Sequence, residues 1–89
     1  MKVIRRTSQF KRDAKLMKKR GKDLGKLREI LENIVSGQEL ELKYRDHVLV
    51  GEYLGIHECH IEPDWLLLYE PAQNEVILIR TGTHADLFA

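Results

Sequence analysis

Four histidines, His47, His57, His60 and His84, stand in a chain of 89 residues with a single cysteine, Cys59. Imidazole titrates near neutrality, so one histidine can accept a proton while another donates it. Asp64 and Trp65 follow His60 across a Glu62-Pro63 turn. His47, His60 and His84 all fall near strand ends or turns, and neighbouring strand ends of an antiparallel sheet can bring such positions together.

Three readings of these residues compete. One is a metal site, since His57-Glu58-Cys59-His60 contains ligand types. In a strand, however, His57 and Cys59 face one side and His60 the other. Neither a Cys-x-x-Cys pair nor a helical His-Glu-x-x-His motif is present. A second reading makes each histidine a plain hydrogen-bonded residue of a half-buried strand, and His57 is the one assigned to it. The third is metal-free acid–base chemistry on an RNA phosphodiester. RNA carries its own nucleophile, the 2′-OH. The protein need supply only a base, an acid, positive charge for the phosphorane and aromatic surface for splayed bases. His47, His60, His84, Asp64, Trp65 and Phe88 meet that list. Trp65 competes with a plain core role, since tryptophan is highly buried on average. Cys59 is expected in the core as a small hydrophobe; a nucleophilic role would need a base on its own face, and only His57 offers one.

The elements that must position these residues follow from periodicity. Lys2 to Arg6 reads as a short strand. Thr7 and Ser8 offer N-cap oxygens to a helix over Ser8–Arg20, in which Phe10, Ala14 and Met17 share one face and Leu16 lies at its edge. Gly21 is placed to end that helix in a left-handed C-cap. Asp23 caps a second helix with a stripe of Leu24, Leu27, Leu31 and Ile34, widened by Ile30 and Val35, which Ser36-Gly37 ends. The short connection makes the pair an antiparallel hairpin. Residues 38–47 have no sustained period. Short β-runs follow at Val48–Val50, Tyr53-Leu54, Ile56–Ile61, Trp65–Tyr69 and Glu75–Arg80, separated by turn residues. The last is apolar on both faces from Val76 to Ile79, as for a strand covered on both sides. A short segment, His84 to Ala89, can dock through Leu87 and Phe88. The order is β-α-α-β-β-β-(β): an α+β fold with a helical hairpin on one face of a small antiparallel sheet.

Length bounds the rest. Eighty-nine residues form one domain, spanning 1–89, and cannot hold a Rossmann domain or a TIM barrel. The longest apolar run, Trp65 to Tyr69, is far short of the roughly 18–20 residues that span a bilayer. One cysteine excludes an intrachain disulfide framework.

The net charge of +1 conceals a division. Residues 1–28 hold twelve basic and two acidic residues, and residues 29–89 hold three basic and twelve acidic ones. A basic face of that kind attracts polyanions, if it is more than a solvated helix surface. Lys11, Arg12, Lys15, Lys18, Lys19 and Lys22 are its candidate contacts.

Three segments carry a resemblance. They are Tyr44-Arg45-Asp46-His47 with Leu49-Val50-Gly51, then Cys59-His60-Ile61-Glu62-Pro63-Asp64-Trp65-Leu66-Leu67-Leu68-Tyr69, then Arg80-Thr81-Gly82-Thr83-His84-Ala85-Asp86-Leu87-Phe88. On these the chain resembles bacterial toxins of the RelE/ParE superfamily, in its YafQ-like branch of ribosome-dependent mRNA endonucleases. The resemblance covers nearly the whole chain. It implies two helices on an antiparallel sheet, a cytoplasmic protein, and cleavage of mRNA in the A site of the 30S subunit without cofactor or divalent metal. The family's active-site positions fall on His47, His60, Asp64, Trp65, His84 and Phe88. It implies catalytic roles for His47, His60, Asp64 and His84, and substrate contacts from Trp65, Phe88 and Arg80. Asp64 would orient a histidine or favour its charged form. A cognate antitoxin is the implied protein partner, with DNA reached only through it and no membrane involved. The basic residues would serve rRNA, the antitoxin or both. One departure stands out: the position three before His60 is often arginine in relatives and is His57 here. Two other classes share parts of this picture. A non-catalytic RNA- or protein-binding module would use the charge alone, and a ParE-like gyrase inhibitor would not need the histidines.

Overall fold

The computed structural model describes residues 2–49 and 55–88. The elements run β1 (Val3–Arg6), α1 (Ser8–Lys19), α2 (Leu24–Val35), a 3-10 turn (Leu42–Tyr44), β2 (His47–Val48), β3 (His57–Glu62), β4 (Trp65–Pro71), β5 (Glu75–Gly82) and α3 (His84–Phe88). The expected strand at Tyr53-Leu54, and Val50 of the strand before it, lie outside the described residues.

Both helix starts follow the sequence chemistry. The Thr7 hydroxyl accepts from the Phe10 amide at 3.0 Å, and the Asp23 carboxylate accepts from the Gly25 amide at 2.9 Å. Each satisfies an amide that the first turn leaves without an intrahelical acceptor. Past α1 the chain reverses at Gly21, whose φ of +85° suits a residue lacking a Cβ. Phe10 and Met17 are buried on α1, and Leu27, Ile30, Leu31 and Val35 on α2. Leu24 and Ile34, expected in the stripe, are only partly buried at its margins.

The sheet has the order β1-β5-β4-β3-β2. β2 to β5 form the expected antiparallel meander. The expectation of a wholly antiparallel sheet needs one correction: β1 pairs with β5 in parallel, Val3 opposite Glu75 through Arg6 opposite Leu78. After β1 the chain crosses the sheet through the hairpin before entering the meander, so the first strand meets the last with both pointing the same way. Five strands are therefore mixed in direction.

β4 is buried on both faces, and its alternate residues separate two cores. Trp65, Leu67 and Tyr69 pack with the hairpin, together with Cys59, Ile61, Val76 and Leu78. Leu66 and Leu68 point the other way, where Leu87 of α3 covers them. Each fully buried Leu, Met or Phe contributes about 1.5–3 kcal/mol relative to exposure. The small second core thus holds α3, and with it His84, against the sheet.

Candidate functional site

The register of β2 and β3 sets His47 directly opposite Glu58. Glu58 and His60 are two residues apart on one strand and share a face. One carboxylate oxygen of Glu58 consequently lies 3.5 Å from His47 Nε2 and 3.2 Å from His60 Nε2. The Glu58 side chain is only 10% exposed. His47 Nδ1 lies 2.8 Å from the Arg45 carbonyl, which can only accept, so this nitrogen carries the proton. In neutral His47 the lone pair is therefore on Nε2. In His60 the nitrogen facing Glu58 is the natural donor, which leaves Nδ1 as its acceptor.

His84 approaches from α3. The Asp64 carboxylate accepts from the His84 amide at 2.9 Å and from its ring Nδ1 at 2.6 Å. Those two bonds hold Asp64 below the ordinary carboxylate range, the amide contributing most. With Nδ1 occupied, Nε2 of His84 faces outward for proton exchange. The His60 and His84 rings are 5.7 Å apart, and those of His47 and His60 are 6.5 Å apart. The three histidines thus form a row with a carboxylate behind each end.

Side chains around α3 fix its placement. The Asp86 carboxylate accepts from the Thr83 amide at 2.9 Å and from Arg20 at 2.8 Å. Arg20 and the Thr83 amide hold Asp86 down at about 2. Gly82 is required here, because a Cβ would come within 2.9 Å of the Asp86 Cβ. Phe88 follows His84 by one helical turn, on the same face, and is 43% exposed.

Several other expected residues lie elsewhere. Trp65 is fully buried against the hairpin, and its indole donates to Thr81 at 2.9 Å. The first residue of β4 faces the helices, so the Trp65 ring is covered by the hairpin rather than presented beside the histidines. Arg80 donates through Nε and Nη2 to Asp13 of α1, both at 3.0 Å. Lys22 pairs with Glu62 at 3.1 Å and lies 6.0 Å from the Trp65 ring centre. It stands in the turn between the helices, while Lys11, Arg12, Lys15, Lys18 and Lys19 are exposed along α1. Cys59 is completely buried, and burial pushes its thiol strongly up, which leaves it inert. His57 faces Asp46 at 3.4 Å and stacks obliquely on Tyr69, whose hydroxyl donates to Asp46 at 2.6 Å. Burial is the main reason the Tyr69 hydroxyl is pushed up and stays protonated, with the Asp46 bond adding to it. Asp46 so anchored pins the segment that carries His47.

Two carboxylates escape a reading by composition. Glu58 is one, and its alternation with His60 was the available signal. Asp13 is the other. It occupies the apolar face of α1 between Phe10 and Met17, and its carboxylate accepts from the Thr81 amide, Gln9 and Arg80 where β5 runs on past the end of β1. Burial alone would raise Asp13, but these hydrogen bonds outweigh it and hold the carboxyl low. Among the described residues, no three His, Cys, Asp or Glu side chains are arranged to hold a metal ion. None of their helices is long and apolar enough to cross a membrane.

The described residues thus form a two-core α+β domain with a histidine row on its hairpin-free face. Residues 2–89 match the family of bacterial toxins of type II toxin–antitoxin systems, YafQ, and the chain belongs to that family. The mRNA interferase toxin YafQ of Escherichia coli K12 is 38% identical over 86 residues, covering 96% of this chain and 94% of the relative. The crystal structure of the E. coli DinJ–YafQ complex superposes with a TM-score of 0.93 at 37% identity, covering all of both chains. A metal-bound toxin from Helicobacter pylori gives 0.93 at 38% identity, covering 99% of this chain and all of that one.

Proposed function

We propose that this chain, an endoribonuclease toxin of the mRNA-interferase class, cuts mRNA in the ribosomal A site by acid–base catalysis and is neutralised by a cognate antitoxin. The observation that carries the reading is the row of His47, His60 and His84, with Glu58 and Asp64 behind it.

The tautomers divide the labour. His47, with Nδ1–H committed to the Arg45 carbonyl, accepts the 2′-OH proton at Nε2. The imidazolium so formed faces Glu58, which stabilises it. The 2′-oxygen attacks the adjacent phosphorus. His84 donates its Nε2 proton to the departing 5′-oxygen while Asp64 holds Nδ1. A 2′,3′-cyclic phosphate and a 5′-OH result. A ring separation of 5.7 Å leaves no room for a phosphate between His60 and His84. His60, whose Nε2 is committed to Glu58, therefore forms the wall of the site between base and acid. Phe88, on the His84 face of α3, supports a base.

The chemistry of the partner follows from charge. The exposed cations of α1 suit rRNA phosphates and an acidic antitoxin segment equally, and a bound antitoxin would exclude the ribosome. The DinJ complex of the E. coli relative supports a protein partner of this kind. Cleavage of a defined mRNA, with and without ribosomes, followed by analysis of the 3′ ends, tests the reading. A 2′,3′-cyclic phosphate appearing only with programmed ribosomes is expected. Ribosome-independent cutting would overturn the A-site assignment, and a 3′-OH product would overturn the chemistry.

A further inference from the structure

A cavity of about 470 Å³ opens beside His60, between α2, the 3-10 turn and the end of β3. Lys26, Lys43, Tyr44 and Arg45 line it with His60 and Glu62. Two of the cations are already matched, Lys26 by Glu62 at 2.8 Å and Lys43 by Glu41 at 3.7 Å. Glu29, which also lines the cavity, acts on Lys43 through space. Among the described residues, Arg45 has no carboxylate within ion-pair distance.

The backbone under Arg45 is unusual. Arg45 is the one non-glycine residue with positive φ among those described, at φ 50° and ψ 44°. Its amide donates to the Leu42 carbonyl at 3.0 Å, and its carbonyl holds His47 Nδ1 at 2.8 Å. Glycine or asparagine adopts this conformation at less cost. An arginine here puts a planar, permanently charged fork on the wall of this cavity, and of a second one toward Asp46 and His57, from the same turn that orients His47. Guanidinium geometry matches a phosphate's oxygens in a bidentate way.

We propose that this cavity seats the phosphodiester of a nucleotide flanking the scissile one, with Arg45 as its principal contact. The inference rests on the reading of the site as RNA-cleaving. His60 belongs to the histidine row and also borders the cavity, so an RNA strand rounding the end of β3 can pass from the cleavage point to it. The strand is then gripped by a charge one linkage away from the chemistry, and Arg45 acts on capture and register.

The test uses ribosomes programmed with a short mRNA in which each linkage flanking the scissile one is replaced in turn by a neutral methylphosphonate. Wild type, Arg45→Gln, Arg45→Lys and the remote control Arg5→Gln are compared, with thermal melts to verify folding. Arg45→Gln should raise KM about tenfold or more with kcat little changed, as expected for a lost charge-assisted contact. Arg45→Lys should recover part of the loss, and Arg5→Gln should match wild type. One of the two methylphosphonates should weaken wild type similarly, and leave Arg45→Gln no worse than on natural mRNA. If both methylphosphonates and Arg45→Gln act additively, the phosphate seat is overturned while the cleavage reading stands. A fall in kcat without change in KM would assign Arg45 to orienting His47 and overturn the seat as well. If wild type cleaves no mRNA at all, the underlying reading fails and takes this proposal with it.

Discussion

Asp64 and His84 are twenty residues apart in the chain and joined by two hydrogen bonds to one carboxylate oxygen, from the His84 amide at 2.9 Å and its ring at 2.6 Å. The amide bond fixes where α3 begins. The ring bond fixes which imidazole nitrogen is left for chemistry. A single carboxylate at the β3–β4 turn therefore sets both the position and the tautomer of the proposed acid.

Asp64→Asn should lower kcat, and His84→Ala should do so by about 10²–10⁴-fold, the usual effect of losing a general acid. Both should retain the wild-type melting profile and antitoxin affinity. Treating the toxin alone with EDTA, and removing the chelator before programmed ribosomes are added, should leave wild-type turnover unchanged. Inhibition by EDTA that zinc reverses would contradict the proton-transfer scheme.

Asp86 gives a pH dependence of stability. Its folded-state pKa is depressed to about 2 from an ordinary 3.8. The stabilisation is therefore complete above about pH 5 and is lost as pH falls through about 2. Because the partner Arg20 is 42% exposed, solvent screening reduces the effect to about 1 kcal/mol. Asp86→Asn should be less stable than wild type by that amount at pH 7 in urea titrations, with the two curves converging in acid.

Gly82→Ala should damage activity more than its size suggests. The new Cβ would stand 2.9 Å from the Asp86 Cβ, a separation that forces α3 to move. His84 moves with α3. Turnover should drop at least tenfold, on the principle that misplacing a reacting group by about 1 Å costs about 10²-fold. The Asp86→Ala background should restore little, because the Cβ contact persists there.

Trp65 and Phe88 should separate cleanly. Trp65→Phe leaves the buried Thr81 hydroxyl without its indole donor and opens space in the hairpin core. It should cost about 1–3 kcal/mol yet keep kcat for the folded fraction. Phe88→Ala should do the reverse, with unchanged stability and weaker turnover on mRNA. Equal kcat losses in both would restore Trp65 to the substrate surface.

Replacing Lys11, Lys15, Lys18 and Lys19 together by Ala should weaken ribosome binding across all messages and flatten its salt dependence. Codon preference should persist, since phosphate contacts position a protein without reading bases. Salt titration of ribosome binding measures the slope, and an unchanged slope would remove α1 from the interface.

The sequence made the two helices legible because Phe10, Met17, Leu27 and Leu31 repeat with helical period and Thr7, Asp23 and Gly21 mark the ends. The meander was legible from turn residues such as Pro63-Asp64. Direction was not: periodicity identifies a strand at Val3–Arg6 but carries no information about its neighbour, so the parallel pairing with β5 stayed hidden. Alternation also failed at Trp65, because β4 is apolar on both faces and offers no polar side to orient it. Asp13 was obscured among cations, although its place between Phe10 and Met17 on one helical face was readable. The histidines could be listed as candidates, but their partners could not. The His47–Glu58 contact depends on strand register, and register is a tertiary fact.

The pairing of β1 with β5 has a consequence for the moment the protein becomes active. Val3–Arg6 is synthesised long before residues 75–78, with which it pairs. Such distant pairing forms slowly, because most of the chain must be gathered before the contact stabilises anything. A partial chain ending before β5 has neither a place for β1 nor the second core that seats His84. The histidine row is thus complete only once β5 and α3 have been made and the second core has closed.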